Sequence, residues 1–200
     1  MLSEFQVFLR LGFEHIADLR GYDHILFIVA LCAGYEPKHW RKLLILVTAF
    51  TVGHSITLAL ATLRLITIND ALVEFLIPLT IFITAVLNIV ASSPKGESPV
   101  EKRAARLLKY VLALGFGLIH GMGFSNFLRA LLGGEEGIAL PLFAFNVGLE
   151  LGQICIVLAV MILTFLVVRL ARMRRHDWIL VLSGATAGVA LTLMVERIPG

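Results

Sequence analysis

From Leu43 to Leu63 the chain runs about 20 residues without an acid, a lysine or an arginine. A helix of that length crosses the ~30 Å hydrocarbon core of a bilayer, and five further apolar runs follow or precede it. The apolar residues come in blocks, not in the one-sided rhythm of a surface helix. Only 16% of the residues are charged, against about a quarter in soluble domains, and 58% are hydrophobic. A soluble globule is excluded. The sequence predicts an all-α, polytopic transmembrane helix bundle in contact with a lipid bilayer.

About six spans are expected, at 13–33, 42–63, 71–91, 107–132, 140–168 and 178–195, forming one transmembrane domain over residues 1–200. The start of the first is blurred by polar residues and lies at Phe13 or Gly21. Ahead of it, Phe5, Phe8, Leu9, Leu11, Phe13 and Ile16 alternate with Glu4, Arg10, Glu14 and Asp18. That pattern is an N-terminal amphipathic helix, and it lacks the basic and apolar regions of a signal peptide. Ser92 to Arg106, with Pro94, Gly96 and Pro99, reads as a linker. No internal repeat is visible, so an inverted-repeat transporter fold is not indicated.

The net charge of +3 is read as a topology signal, with no nucleic-acid partner. Twelve of the 17 lysines and arginines fall in the loops after spans one, three and five. The richer side is cytoplasmic by the positive-inside rule, so both termini are expected outside. Cys32 and Cys155 lie in apolar runs and form no disulfide framework.

Polar groups in hydrocarbon are costly and usually face the bundle interior. Four places carry them. Span one has His15 and then Asp23-His24, with Gly21 at a candidate break. On one straight helix, nine residues would turn His15 away from His24. Span two has Thr51, His54 and Ser55 at i, i+3 and i+4, on one face. Span four has His120 among Gly115, Gly117, Gly121 and Gly123, small residues that let helices approach closely. Span five carries a stripe of Asn146, Glu150 and Gln153. One intramembrane histidine is as often a helix–helix hydrogen-bonding residue as a functional one. Imidazoles and carboxylates at similar depth on four helices point instead to a divalent transition-metal site, for nickel, cobalt or zinc. The candidate ligands are His24, His54, His120, Asp23 and Glu150, with His15 a weaker member. Ser55, Thr51, Asn146 and Gln153 are candidates for orienting the imidazoles.

At these motifs the chain resembles the second branch of the HupE/UreJ family. The matching segments are GYDHILF, FTVGHSITLAL, FGLIHGMGF and FNVGLELGQ, in order along almost the whole chain. The family's members are accessory proteins of hydrogenase and urease operons, so the resemblance implies nickel or cobalt uptake in a bacterial inner membrane. Carried over by position, the metal-handling residues are Asp23, His24, His54, His120 and Glu150. Two departures bear on the choice of metal. Seven residues separate His15 from Asp23 where hydrogenase-type members resemble HX5DH, and Phe124 follows the HG motif where they carry a second histidine.

Two functions follow. The first is a divalent-metal permease, in which the histidines replace the ion's water and the carboxylates offset its charge. Against it, spans three and six supply almost nothing polar beyond Asn88 and Thr192, and a conduction path needs sites that the ion can leave. The second is a zinc-dependent intramembrane hydrolase acting on a lipid or membrane-anchored protein. There Glu150 or Asp23 would be the catalytic general base.

Overall fold

The computed structural model describes residues 3–66, 69–92, 99–132 and 137–198. Among them all regular structure is helical: α1 (Glu4–Ile16), α2 (Asp23–Ala33), α3 (Trp40–Thr62), α4 (Asp70–Ala91), α5 (Pro99–Gly123), α6 (Ser125–Leu132), α7 (Ala139–Phe165) and α8 (Arg175–Glu196). A 3-10 turn, Pro37–His39, leads into α3, and a π-helical turn, Leu166–Leu170, ends α7. Among the described residues four segments are long and apolar enough to cross a membrane: Pro37–Thr62, Asp70–Ala91, Ala139–Leu170 and Arg175–Glu196. They answer to the second, third, fifth and sixth expected spans.

The other two expected spans fall on shorter apolar helices, Asp23–Ala33 and Leu107–Gly123. The first is no continuous helix over 13–33. It divides into α1 and α2 at Ala17–Tyr22, where Asp18 Oδ1 accepts from the Arg20 amide at 2.8 Å. That side-chain turn competes with the helical ladder, and Gly21 adds no helix propensity to resist it. The fourth span, expected at 107–132, begins earlier and ends sooner. Helix α5 starts at Pro99, inside the expected linker, because proline suits the first helical position. It ends at Gly123. Ser125 Oγ donates to the Met122 carbonyl at 2.9 Å, and α6 starts there after a turn at Phe124.

Glycine sets the two closest helix pairs. A Cβ on Gly117 would stand 2.1 Å from the Phe50 carbonyl oxygen, and one on Gly121 2.2 Å from that of His54. Contact positions rise together along α3 and α5, so these helices run parallel. In the same way Gly12 abuts Phe145 and Leu149, and Gly148 abuts Leu9 and Phe13. Helix α1 therefore lies parallel to the first half of α7. Helix α4 packs on α8, and α2 fits among α4, α7 and α8.

Helix α2 is short, 11 residues or ~16 Å, about half a bilayer core. Two arginines from the ends of α8 reach in to it. Arg175 Nη2 donates to the Gly34 carbonyl at 3.0 Å, and Arg197 Nη1 pairs with Asp23 Oδ2 at 3.1 Å. The charges at both ends of α2 suit the helix dipole: a cation meets its carbonyl end and an acid occupies its amide end. Trp178 is buried, its indole donating to Thr164 Oγ1 at 3.1 Å.

Candidate metal centre

The break between α1 and α2 decides the geometry. Because the chain turns at Ala17–Tyr22, His15 and His24 are no longer bound to opposite faces of one helix. Their rings lie 4.7 Å apart, edge to face. Across from both stands His54 of α3, with ring centroids 5.9 Å from His15 and 6.1 Å from His24. One ring nitrogen from each of the three lies within 4.8 Å of the other two. Metal–nitrogen bonds of about 2.1 Å would draw tetrahedral donors to roughly 3.4 Å, a contraction within the reach of side-chain rotation.

These nitrogens lack protein partners. His15 Nε2, His24 Nε2 and both ring nitrogens of His54 are buried without a hydrogen bond. Buried polar atoms are satisfied in the great majority of cases, so four orphans within one cluster call for an occupant. The surroundings are aromatic: Phe124 lies 4.0 Å from the His15 ring, and Phe50 and Phe145 border His24 and His54.

His120 stands beside the trio, its ring 5.0 Å from His24. Its tautomer follows from Thr80. The Thr80 hydroxyl donates to the Ile77 carbonyl at 2.7 Å, so at its 3.2 Å contact with His120 Nε2 the oxygen accepts and Nε2 carries the proton. His120 Nδ1 is then a bare acceptor, buried and without a partner. A ligating histidine that donates its other N–H to a neighbour is the usual arrangement at metal sites.

The remaining candidates lie as follows. Asp23 adjoins His24 in the chain, with Oδ2 on Arg197 and Oδ1 buried and unpartnered. Glu150 is outside the histidine group and accepts from Thr48 Oγ1 at 2.6 Å. Thr51 Oγ1 contacts both Gln153 Oε1 at 2.8 Å and the Val47 carbonyl at 3.1 Å. Ser55 donates to the Thr51 carbonyl of its own helix at 2.7 Å, not to an imidazole. Asn146 Oδ1 is buried with no partner. Glu150 and Gln153 on α7 thus face threonines 48 and 51, one turn apart on α3, the first pair exposed and the second buried.

Sequence reasoning missed Thr80 and Thr48. Thr80, Thr84, Ser183 and Thr186 are buried polar residues of spans that were read as nearly apolar. The spacing of Thr48 and Thr51 was a usable signal.

A cleft of about 710 Å³ is bordered by Glu14, His15, Asp18, Phe13, Phe124 and Phe127, among others. His15 is the member of the trio that lines it. On the other side of the cluster Phe27 and Phe50 are fully buried.

A family model described as HupE / UreJ protein matches residues 1–197. No curated protein and no solved structure matches the chain.

Proposed function

Because the chain belongs to the HupE/UreJ family, we propose that this multi-pass membrane protein is a permease for a divalent transition-metal ion of the nickel or cobalt kind. The observation that carries the proposal is the convergence of His15, His24 and His54 with ring nitrogens that nothing in the protein satisfies. The ion enters by the cleft beside His15, whose charged border is Glu14, Asp18 and Arg20, with Glu14 paired to Arg10. Three imidazoles replace part of its water shell, and His120 Nδ1 offers a fourth nitrogen. Borderline nitrogen donors suit nickel, cobalt and zinc over calcium or copper(I). Asp23, through its unpaired Oδ1, offsets charge at the trio.

Onward movement needs a place to leave for. Between α3 and α7, the buried pair Thr51–Gln153 and the exposed pair Thr48–Glu150 supply oxygen donors and one carboxylate. Harder oxygen ligands hold these ions less firmly than imidazoles do, so these pairs are a station from which the ion departs. The family resemblance implies a bacterial inner membrane, the basic loops put both termini outside, and on this reading the ion moves inward.

A second reading rests on one observation. The cleft is walled largely by apolar side chains, and buried Phe27 and Phe50 close the far side, as suits a zinc-dependent hydrolase of lipids or membrane-anchored proteins. The trio fits zinc with one position open, and bound zinc would supply an acidified water. Asp23 or Glu150 would then take the proton.

Uptake of nickel, cobalt and zinc into proteoliposomes separates the two. The permease predicts ion accumulation that His54→Ala abolishes and that Glu150→Gln slows while metal binding persists. A protein that retains one zinc per chain and moves no ion overturns the permease and turns the search to hydrolysis.

A further inference from the structure

At the end of the bundle opposite the His15 cleft, the α2–α3 connection and the joint between α7 and α8 enclose a second cleft of about 510 Å³. Three cations border it, Lys38, Arg169 and Arg175, with one acid, Glu36. Glu36 is shared: it pairs with Lys38 at 2.8 Å and also with Arg175. One carboxylate cannot neutralise three cations, so the cleft holds an excess of two positive charges. Arg169 is exposed and makes no ion pair among the described residues. The π-helical turn Leu166–Leu170 carries it to the mouth of the cleft.

The walls below the charges are apolar: Ala33, Phe165, Val168 and the buried Trp178. They continue into a strip of exposed apolar side chains on α7 and its π-turn, namely Ile162, Phe165, Leu166 and Leu170. A cationic mouth set over an apolar track is complementary to one kind of molecule, an anion with a hydrocarbon tail. Basic pockets between membrane helices recognise phospholipid headgroups on these terms.

We infer that this cleft binds an anionic phospholipid, with the phosphate between Lys38, Arg169 and Arg175 and an acyl chain along Phe165, Leu166 and Leu170. The site is independent of the metal centre. Its bound lipid ties the α2–α3 connection to the α7–α8 joint, the region where Arg175 holds the end of α2.

The test is thermal unfolding of the detergent-purified full chain with added phosphatidylglycerol, phosphatidylcholine or inorganic phosphate. Phosphatidylglycerol at hundredfold excess over its Kd is expected to raise Tm by about 5 °C, and neither of the other additions should match it. The shift should disappear in Arg169→Gln combined with Lys38→Gln. It should persist in Arg172→Gln, an exposed arginine outside the cleft. Arg169→Gln alone removes an exposed, unpaired side chain and guards against a folding defect in the pair. Equal stabilisation by phosphatidylcholine, a match by inorganic phosphate, or a shift that survives the double substitution would each overturn the inference.

Discussion

Gly148→Ala should disarm the metal centre without touching a ligand. A Cβ at position 148 would stand 1.9 Å from the Leu9 carbonyl oxygen and 3.0 Å from the Phe13 amide nitrogen. Real Cβ atoms essentially never come within 3.0 Å of such an atom. Moving from 1.9 to 3.0 Å requires α1 and α7 to separate by about 1.1 Å, a backbone shift of the kind that overpacking forces at about 1–3 kcal/mol. Helix α7 is held on several sides, whereas α1 leans mainly on α7, so α1 yields. It carries His15, seven residues beyond Phe8. This displacement adds to the contraction that the His15 side chain must already make to reach metal–ligand distance, so the third imidazole is held less well and affinity should fall by about 10–100-fold. Cobalt(II) titration of the detergent-purified protein, with a competing chelator, reads this directly, and circular dichroism checks that the helices persist. Gly184→Ala, where the added methyl meets nothing within 4 Å, is the control. A Gly148→Ala protein with wild-type cobalt affinity and wild-type helicity would refute the link from helix contact to ligand placement.

Two further outcomes test the surroundings of the site. Thr80→Val keeps the shape of the side chain but removes the acceptor that fixes the His120 tautomer. Metal affinity should drop by about 10–100-fold, and an unchanged titration would deny His120 a share in the centre. Arg197→Gln leaves the Asp23 carboxylate, 14% exposed, without its cation and should cost about 3 kcal/mol in thermal unfolding. Adding Asp23→Asn should recover part of that loss, and failure to recover it would mean that Arg197 acts elsewhere.

The long apolar runs made four spans legible, because about 20 residues without charge leave few alternatives to a crossing helix. The two expected spans that fall on shorter helices share one cause. Hydropathy does not register a side chain that turns the backbone locally, as Asp18 does on the Arg20 amide. Gly21 marked a candidate break, but the sequence does not give the direction in which the chain turns there, so His15 was ranked last among the ligands, although it completes the trio. The polar face of α3 and the stripe of α7 were both readable as stripes, but not that they meet. Thr48 and Glu150 are 102 positions apart, and no local pattern encodes such a pairing. Thr80 was invisible because threonine in an apolar helix usually bonds its own backbone. It does so here, and its contact with His120 is a further one on the same oxygen.

The break that brings His15 to His24 has an electrostatic consequence as well. It leaves His24 as the second residue of α2, so the trio is built over the opening turn of a helix. That turn carries about half a unit of positive charge from its free amides, which repels any cation the imidazoles hold. Asp23 opposes the repulsion, but Arg197 has already claimed one of its oxygens. The balance lowers affinity below what three imidazoles alone would provide. Tight capture and quick release conflict at a site of pure donors; placing the donors on the positive end of a helix favours release.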